Sequence, residues 1–345
     1  MRSAMLFCVV PILLAACLLT GATAVPSEDV GAAVRARQWP LQALDVRKAW
    51  RTTRGAGVTV AVLDTGVDDR HPDLMGAVVR GPDLTGATTG PGGSCGTWTS
   101  TTRRTPHAPS GKHGTAMAAL IAGRGHGPND THGILGVAPE ARILSIKVTL
   151  DDDDLLGAGN TICRDAVARG IRYAVDHGAQ VISMSLGGGS GSYQGSAAEE
   201  RAVRYALSRQ VVLIASSGND GAGANRRNYP AAYPGVIAVG AVDRALRPAS
   251  FSNRQDYLSL VAPGTEIVSA EGRRSYVMAD GTSSAAALVA GVAALVRSRY
   301  PDLSARQVRR ALQRGTTPRP RGERDDAYGA GMASARRALE AAGRM

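Results

Sequence analysis

Aromatic residues are scarce in this 345-residue chain, which has two Phe, three Trp and nine Tyr. A core built without them must be filled by aliphatic and small residues. The 42 glycines and 44% hydrophobic content suit close packing of helices on a sheet. Lysine is nearly absent: Lys48, Lys112 and Lys147 are the only three, so arginine carries most of the formal +11 charge. The arginines are scattered, with no basic run interleaved with aromatics. This argues against nucleic acid as a partner and for a surface suited to an anionic wall or membrane neighbour. No internal repeat is visible. The main apolar run, around residues 5–19, is short for a membrane span. The final residues, with Arg336, Arg337 and Glu340, give no apolar tail, so no C-terminal membrane helix is expected.

Cysteine occurs at four positions. Cys8 and Cys17 fall in residues 1–24, which read as an export signal. Arg2 is its positive flank, and Ala22-Thr23-Ala24 is its small-residue cleavage site. Lipid attachment at Cys17, after Leu14-Ala15-Ala16, is the alternative processing route. Either route predicts an exported protein, secreted or associated with the cell envelope. Cys95 and Cys163 then remain, an even count in an oxidising compartment. The expected division is a signal peptide over 1–24, an N-terminal extension over 25–50 and one domain over 51–345. Within the extension, 25–38 reads as a flexible lead and 39–50 as a segment packed on the domain surface.

Six apolar, β-branched runs are continuous rather than alternating: 57–63, 143–148, 181–186, 211–215, 236–239 and 258–261. Continuous runs mark strands buried on both faces. Helical patterns over 115–123, 161–177 and 196–209 separate several of them, and 288–299 and 304–314 close the domain. This alternation predicts an α/β fold with a mostly parallel sheet covered on both faces. The loop at 86–109 is rich in Gly, Ser and Thr, and 151–154 is a run of four Asp.

In such sheets, ligands gather at the carboxyl ends of the strands. Asp64 is the first polar residue after the first run. His113 sits in Gly111-Lys112-His113-Gly114 at the start of a small-residue helix, and Asn219 follows the fourth run. Ser283 lies two residues after Gly281, which is expected to permit a sharp reversal. It opens an alanine-rich helix whose N-terminal N–H groups favour negative charge. Alone, these residues read as a turn aspartate, a surface histidine, a turn asparagine and an N-cap serine. Together, an acid, an imidazole and a serine at strand ends and helix starts are the parts of acyl-transfer catalysis.

The order Asp64, His113, Ser283, with Asn219 between the last two, resembles the subtilisin-like serine proteases over about residues 57–339. Trp50, Gly55-Ala56-Gly57-Val58 and His113-Gly114-Thr115-Ala116-Met117-Ala118 look closest to the mycosins, the proteases of type VII secretion. The resemblance implies a subtilisin-like three-layer αβα sandwich and an exported serine endopeptidase. Asp64, His113 and Ser283 would form the triad, and Asn219 would donate to the oxyanion beside the Ser283 N–H. Ser185, Leu186 and Gly187 would line one side of the specificity pocket, and Ser216, Ser217 and Gly218 the other. A protein or peptide is the implied substrate, and type VII secretion components are the implied partners. No cofactor is implied; a structural calcium ion at 151–154 is the alternative. The family fold places the segments of Cys95 and Cys163 on the same side of the cleft, which implies a disulfide between them. Ala287 and Leu288 depart from the Pro and His usual in the family. The competing function is a catalytically idle structural partner in a secretion machine. An esterase elbow is disfavoured, because Ala285 stands where Gly-x-Ser-x-Gly requires glycine. The acidic run at 151–154 and Asp220 predict a preference for basic side chains near the cut.

Overall fold

A computed structural model of the chain describes residues 27–86, 111–151, 165–187, 194–317 and 326–345. Three helices lead: α1 (Ser27–Ala36), α2 (Trp39–Ala43) and α3 (Val46–Ala49). Next come β1 (Thr59–Asp64), β2 (Val78–Asp83), α4 (Lys112–Ala122), β3 (Arg124–His126), β4 (His132–Leu135) and β5 (Arg142–Lys147). Then follow α5 (Ala166–Asp176), β6 (Val181–Met184), α6 (Ala197–Ser208), β7 (Val212–Ser216), β8 (Ile237–Val242) and β9 (Leu258–Pro263). The chain closes with β10 (Ile267–Glu271), β11 (Ser275–Ala279), α7 (Thr282–Arg299), α8 (Ala305–Arg314) and α9 (Ala335–Ala342).

Seven strands form one sheet in the order β2-β5-β1-β6-β7-β8-β9, and every pairing in it is parallel. Every residue of β6, β7, β8 and β9 is buried, which is why these strands read as near-continuous apolar runs broken only by small serines and a glycine. The sheet contains one strand more than the sequence pattern predicts. That strand, β2, lies at the edge, has no buried residue and contains Pro82, so it leaves no apolar signature. Helices α4 and α7 pack against each other and on the sheet, and α5 and α6 form a second pair against β1, β5 and β7. The result is the expected αβα sandwich.

The spine of the domain is α7. It is buried on all sides, so it shows no amphipathic stripe. Small residues make that possible. A Cβ on Gly291 would come within 2.6 Å of the Val137 Cβ. Among the described residues, no helix is long and apolar enough to cross a membrane.

The segment 39–50 packs onto the domain as expected. Leu44, Val46 and Ala49 are buried, and the indole N–H groups of Trp39 and Trp50 donate to Thr265 O (3.2 Å) and Val137 O (2.8 Å). The described part of the lead, by contrast, is helical. Arg35 of α1 donates from Nε to Gly133 O and from Nη2 to His132 O, both at 2.8 Å. A glycine within ten residues weakens the helical signal in sequence. The structure requires it, because a Cβ on Gly31 would lie 2.8 Å from His132 Cβ.

Beneath this helix lies a buried polar knot. The Asp73 carboxylate accepts from His126 Nδ1 and from the Ile134 N–H, both at 2.6 Å. His71, fully buried, accepts the Asp73 N–H at Nδ1 (3.2 Å) and donates from Nε2 to Ser275 O (3.2 Å). Burial pushes the His71 pKa below the usual 6.5; Asp73 and Asp68 oppose that shift and His126 adds to it. The unfolded chain therefore takes up this proton first, and the stability tied to neutral His71 is lost as pH falls below about 6.5. Thermal melts between pH 7.5 and 5.5 should show a declining midpoint, with a shallower decline in His71→Asn. Equal slopes in both proteins would remove His71 as the cause.

Candidate active site

The end of β1 delivers Asp64 into the sheet's interior, where it is fully buried. Its Oδ1 accepts the Thr65 N–H at 2.8 Å and the His113 Nδ1–H at 2.7 Å. Oδ2 is buried without a hydrogen-bond partner among the described residues. The carboxylate is thus committed to the imidazole, which is itself 40% exposed.

Close backbone approach explains how α4 presents that ring. A Cβ on Gly111 would lie 2.2 Å from Gly66 O, and one on Gly114 would lie 2.1 Å from the same oxygen. Only glycines at these two positions let the first turn of α4 settle on the turn after β1. His113, between them, is thereby brought over Asp64. Thr115 Oγ1 ties the two segments further by accepting the Asp68 N–H at 2.8 Å.

Ser283 is the second residue of α7. From Thr282 to Arg297 every residue of that helix is buried except Ser283. Together with His113 and Asn219 it lines a cavity of about 440 Å³ between α4, the β10–β11 hairpin and the start of α7. Asn219 Oδ1 accepts both the Thr282 N–H (2.9 Å) and the Thr282 hydroxyl (2.8 Å), which leaves Nδ2 free to face away from Thr282. A Cβ on Gly281 would lie 3.6 Å from that Nδ2 and 3.7 Å from the Ser283 N. The backbone at Gly281 has φ of 165°, an extended geometry open to any residue, rather than the expected reversal. Glycine leaves open the space beside these two nitrogens, where a methyl would rest in ordinary van der Waals contact with both.

Of the residues expected to line a pocket, Leu186, Gly187 and Gly218 keep surface exposure, while Ser185, Ser216 and Ser217 are buried. The buried serines can shape such a pocket through backbone alone. Ser185 Oγ donates to Ser283 O (3.0 Å), and Ser216 Oγ donates to Leu186 O (2.9 Å). Asn228, which the sequence did not single out, donates to Leu186 O (3.2 Å) and Ser216 O (2.9 Å) and so joins the two walls. Thr282 was missed in the same way. Asp220 is partly neutralised: Arg226 Nη1 lies 3.7 Å from its carboxylate, which weakens its expected pull on basic substrates. Cys95, Cys163 and Asp152 to Asp154 lie outside the described residues, as does Cys17 with the rest of the export pattern.

The profile of the subtilase family, Peptidase S8, matches residues 55–331. Thermitase from Thermoactinomyces vulgaris is 38% identical over 277 residues, covering 80% of this chain and 87% of thermitase. Fervidolysin from Fervidobacterium pennivorans is 36% identical over 309 residues, covering 83% of this chain but spanning only 41% of that longer protein. The solved structure of the MycP3 protease from the type VII (ESX-3) secretion system is similar at a TM-score of 0.68 and 32% identity, covering 92% of this chain and 90% of that one.

Proposed function

This chain belongs to the subtilase family of serine peptidases, and from that premise we propose that it hydrolyses internal peptide bonds through an acyl-enzyme on Ser283. The observation that carries this reading is the 2.7 Å contact from buried Asp64 to His113 Nδ1, beside a cavity that Ser283 shares. In this reading His113 accepts the Ser283 proton as the hydroxyl attacks the scissile carbonyl, then gives it to the leaving amine. Asp64 holds the tautomer with the proton on Nδ1 and stabilises the imidazolium. The Ser283 N–H and Asn219 Nδ2 stabilise the oxyanion.

Leu186, Gly187 and Gly218 would then border the acyl side of the substrate. The cavity opposite, between α4 and the hairpin, would take the leaving-group side. Among the described residues it presents Asp151, Glu271 and Asp280 against one cation, Lys112. Peptides with Lys or Arg just after the cut should therefore be preferred, and the preference should shrink as salt screens it. Mapping cut sites in a peptide library at low and high salt tests this. A preference for acidic residues after the cut would contradict the assignment of that cavity.

The likeness to MycP3 supports a more specific form: an exported, envelope-associated processing protease acting with type VII secretion components. The signal-like pattern at 1–24 supports export, with lipid attachment at Cys17 as its alternative form. A Cys95–Cys163 disulfide is part of the proposal; no cofactor is, and a structural calcium ion at 151–154 is the alternative. Mass spectrometry of unreduced mature protein and metal analysis of the purified protein test them.

A further inference from the structure

Every helix begins with N–H groups that lack partners within it. At α4 the N-cap is Gly111, which has no side chain to offer one. The acceptor comes instead from far along the chain. Asp151 Oδ2 accepts the Lys112 N–H at 2.9 Å, and Oδ1 accepts the His113 N–H at 3.2 Å. Asp151 follows β5, and the end of β5 is bound to Asp64: Lys147 pairs with Asp64 in register, and the Val148 N–H donates to Asp64 O at 2.8 Å. His113 is therefore gripped by two carboxylates, one at the end of β1 and one in the segment that follows the adjacent β5. Asp64 holds the ring, and Asp151 holds the backbone.

We propose that Asp151 is a positioning residue for the His113 imidazole. This rests on the reading of His113 as general base. Asp151 fixes the turn that presents the ring, and it places a second negative charge beside the imidazolium that forms during acylation. Charge-assisted bonds to helix N–H groups are strong and directional, and small displacements of a catalytic group are costly. The other charged groups facing the same cavity are Lys112, Glu271 and Asp280, with Asp64 below the ring. Among the described residues, Asp151 is the only one of the cavity's carboxylates that also bonds the His113 backbone.

The experiment measures labelling of Ser283 by a fluorophosphonate probe across pH 5–9 in wild type, Asp151→Asn, Asp151→Ala and the remote control Glu140→Gln. Asp151→Asn keeps one acceptor oxygen and loses the charge. Its labelling rate should fall about 10-fold, and its acid limb should move to lower pH, because the imidazolium loses a stabilising charge. Asp151→Ala should fall about 100-fold while still folded by its melting curve. Glu140→Gln should match wild type. Wild-type rates in both Asp151 variants, or losses with the acid limb unmoved in Asp151→Asn, would overturn the inference while leaving the triad intact. A wild type that takes no label would remove the triad itself.

Discussion

Replacing Ser283 with alanine should lower peptide-bond turnover on the order of 10⁶-fold, the scale known for the same change in subtilisin, a member of this family. His113→Ala should cost about as much, and Asp64→Ala on the order of 10⁴-fold, again by the subtilisin scale. The pair Ser283→Ala/His113→Ala should be little worse than either alone. Once the nucleophile is gone, a base has no proton to accept, so the losses do not add. The geometry gives Asp64 its lesser place, because it acts through the imidazole it holds at Nδ1. Initial rates on one peptide, with melting curves to confirm folding, check this. A His113→Ala protein with wild-type turnover would remove the assignment.

The second large effect concerns the two donors beside Gly281. Asn219→Leu should reduce kcat about 10²–10³-fold with KM little changed, a range known for the equivalent donor in subtilisin. Gly281→Ala should produce a loss of the same kind by a different route. The extended backbone there accepts alanine, so the fold should survive. The new methyl would occupy the space 3.6 Å from Asn219 Nδ2 and 3.7 Å from the Ser283 N. A peptidyl boronate, whose tetrahedral adduct places an oxygen near those donors, should bind both variants more weakly in step with the loss in kcat. Unchanged kcat in Gly281→Ala would show that the oxyanion forms elsewhere.

Much of this arrangement was legible before the structure. The strands delivering Asp64 and Asn219 are buried on both faces, and such burial leaves continuous apolar runs that need no tertiary information to read. The helices beginning near His113 and Ser283 were equally visible, since small residues dominate both. What escaped depends on contacts between distant residues. Thr282 matters because it lies against Asn219, 63 residues away. Asn228 matters because it bridges the ends of β6 and β7. Asp151 stood out only as one member of an acidic run, because the two α4 N–H groups on its carboxylate come from residues far away in sequence. Gly281 was singled out for the wrong physical reason: backbone freedom was expected, whereas open space is what the site needs. Helix α1 and strand β2 were invisible for a related cause. One is held by Arg35 and a glycine fit, and the other is a half-exposed edge, so neither carries a strong local pattern.

The central claim is that Ser283 is a nucleophile activated by His113. Its most direct test is to incubate the purified protein with a fluorophosphonate probe and locate the adduct by peptide mass spectrometry. One adduct is expected, on Ser283, formed in wild type, lost in Ser283→Ala and slowed by orders of magnitude in His113→Ala. A folded wild-type protein that takes no label, or one labelled equally well without His113, would contradict it.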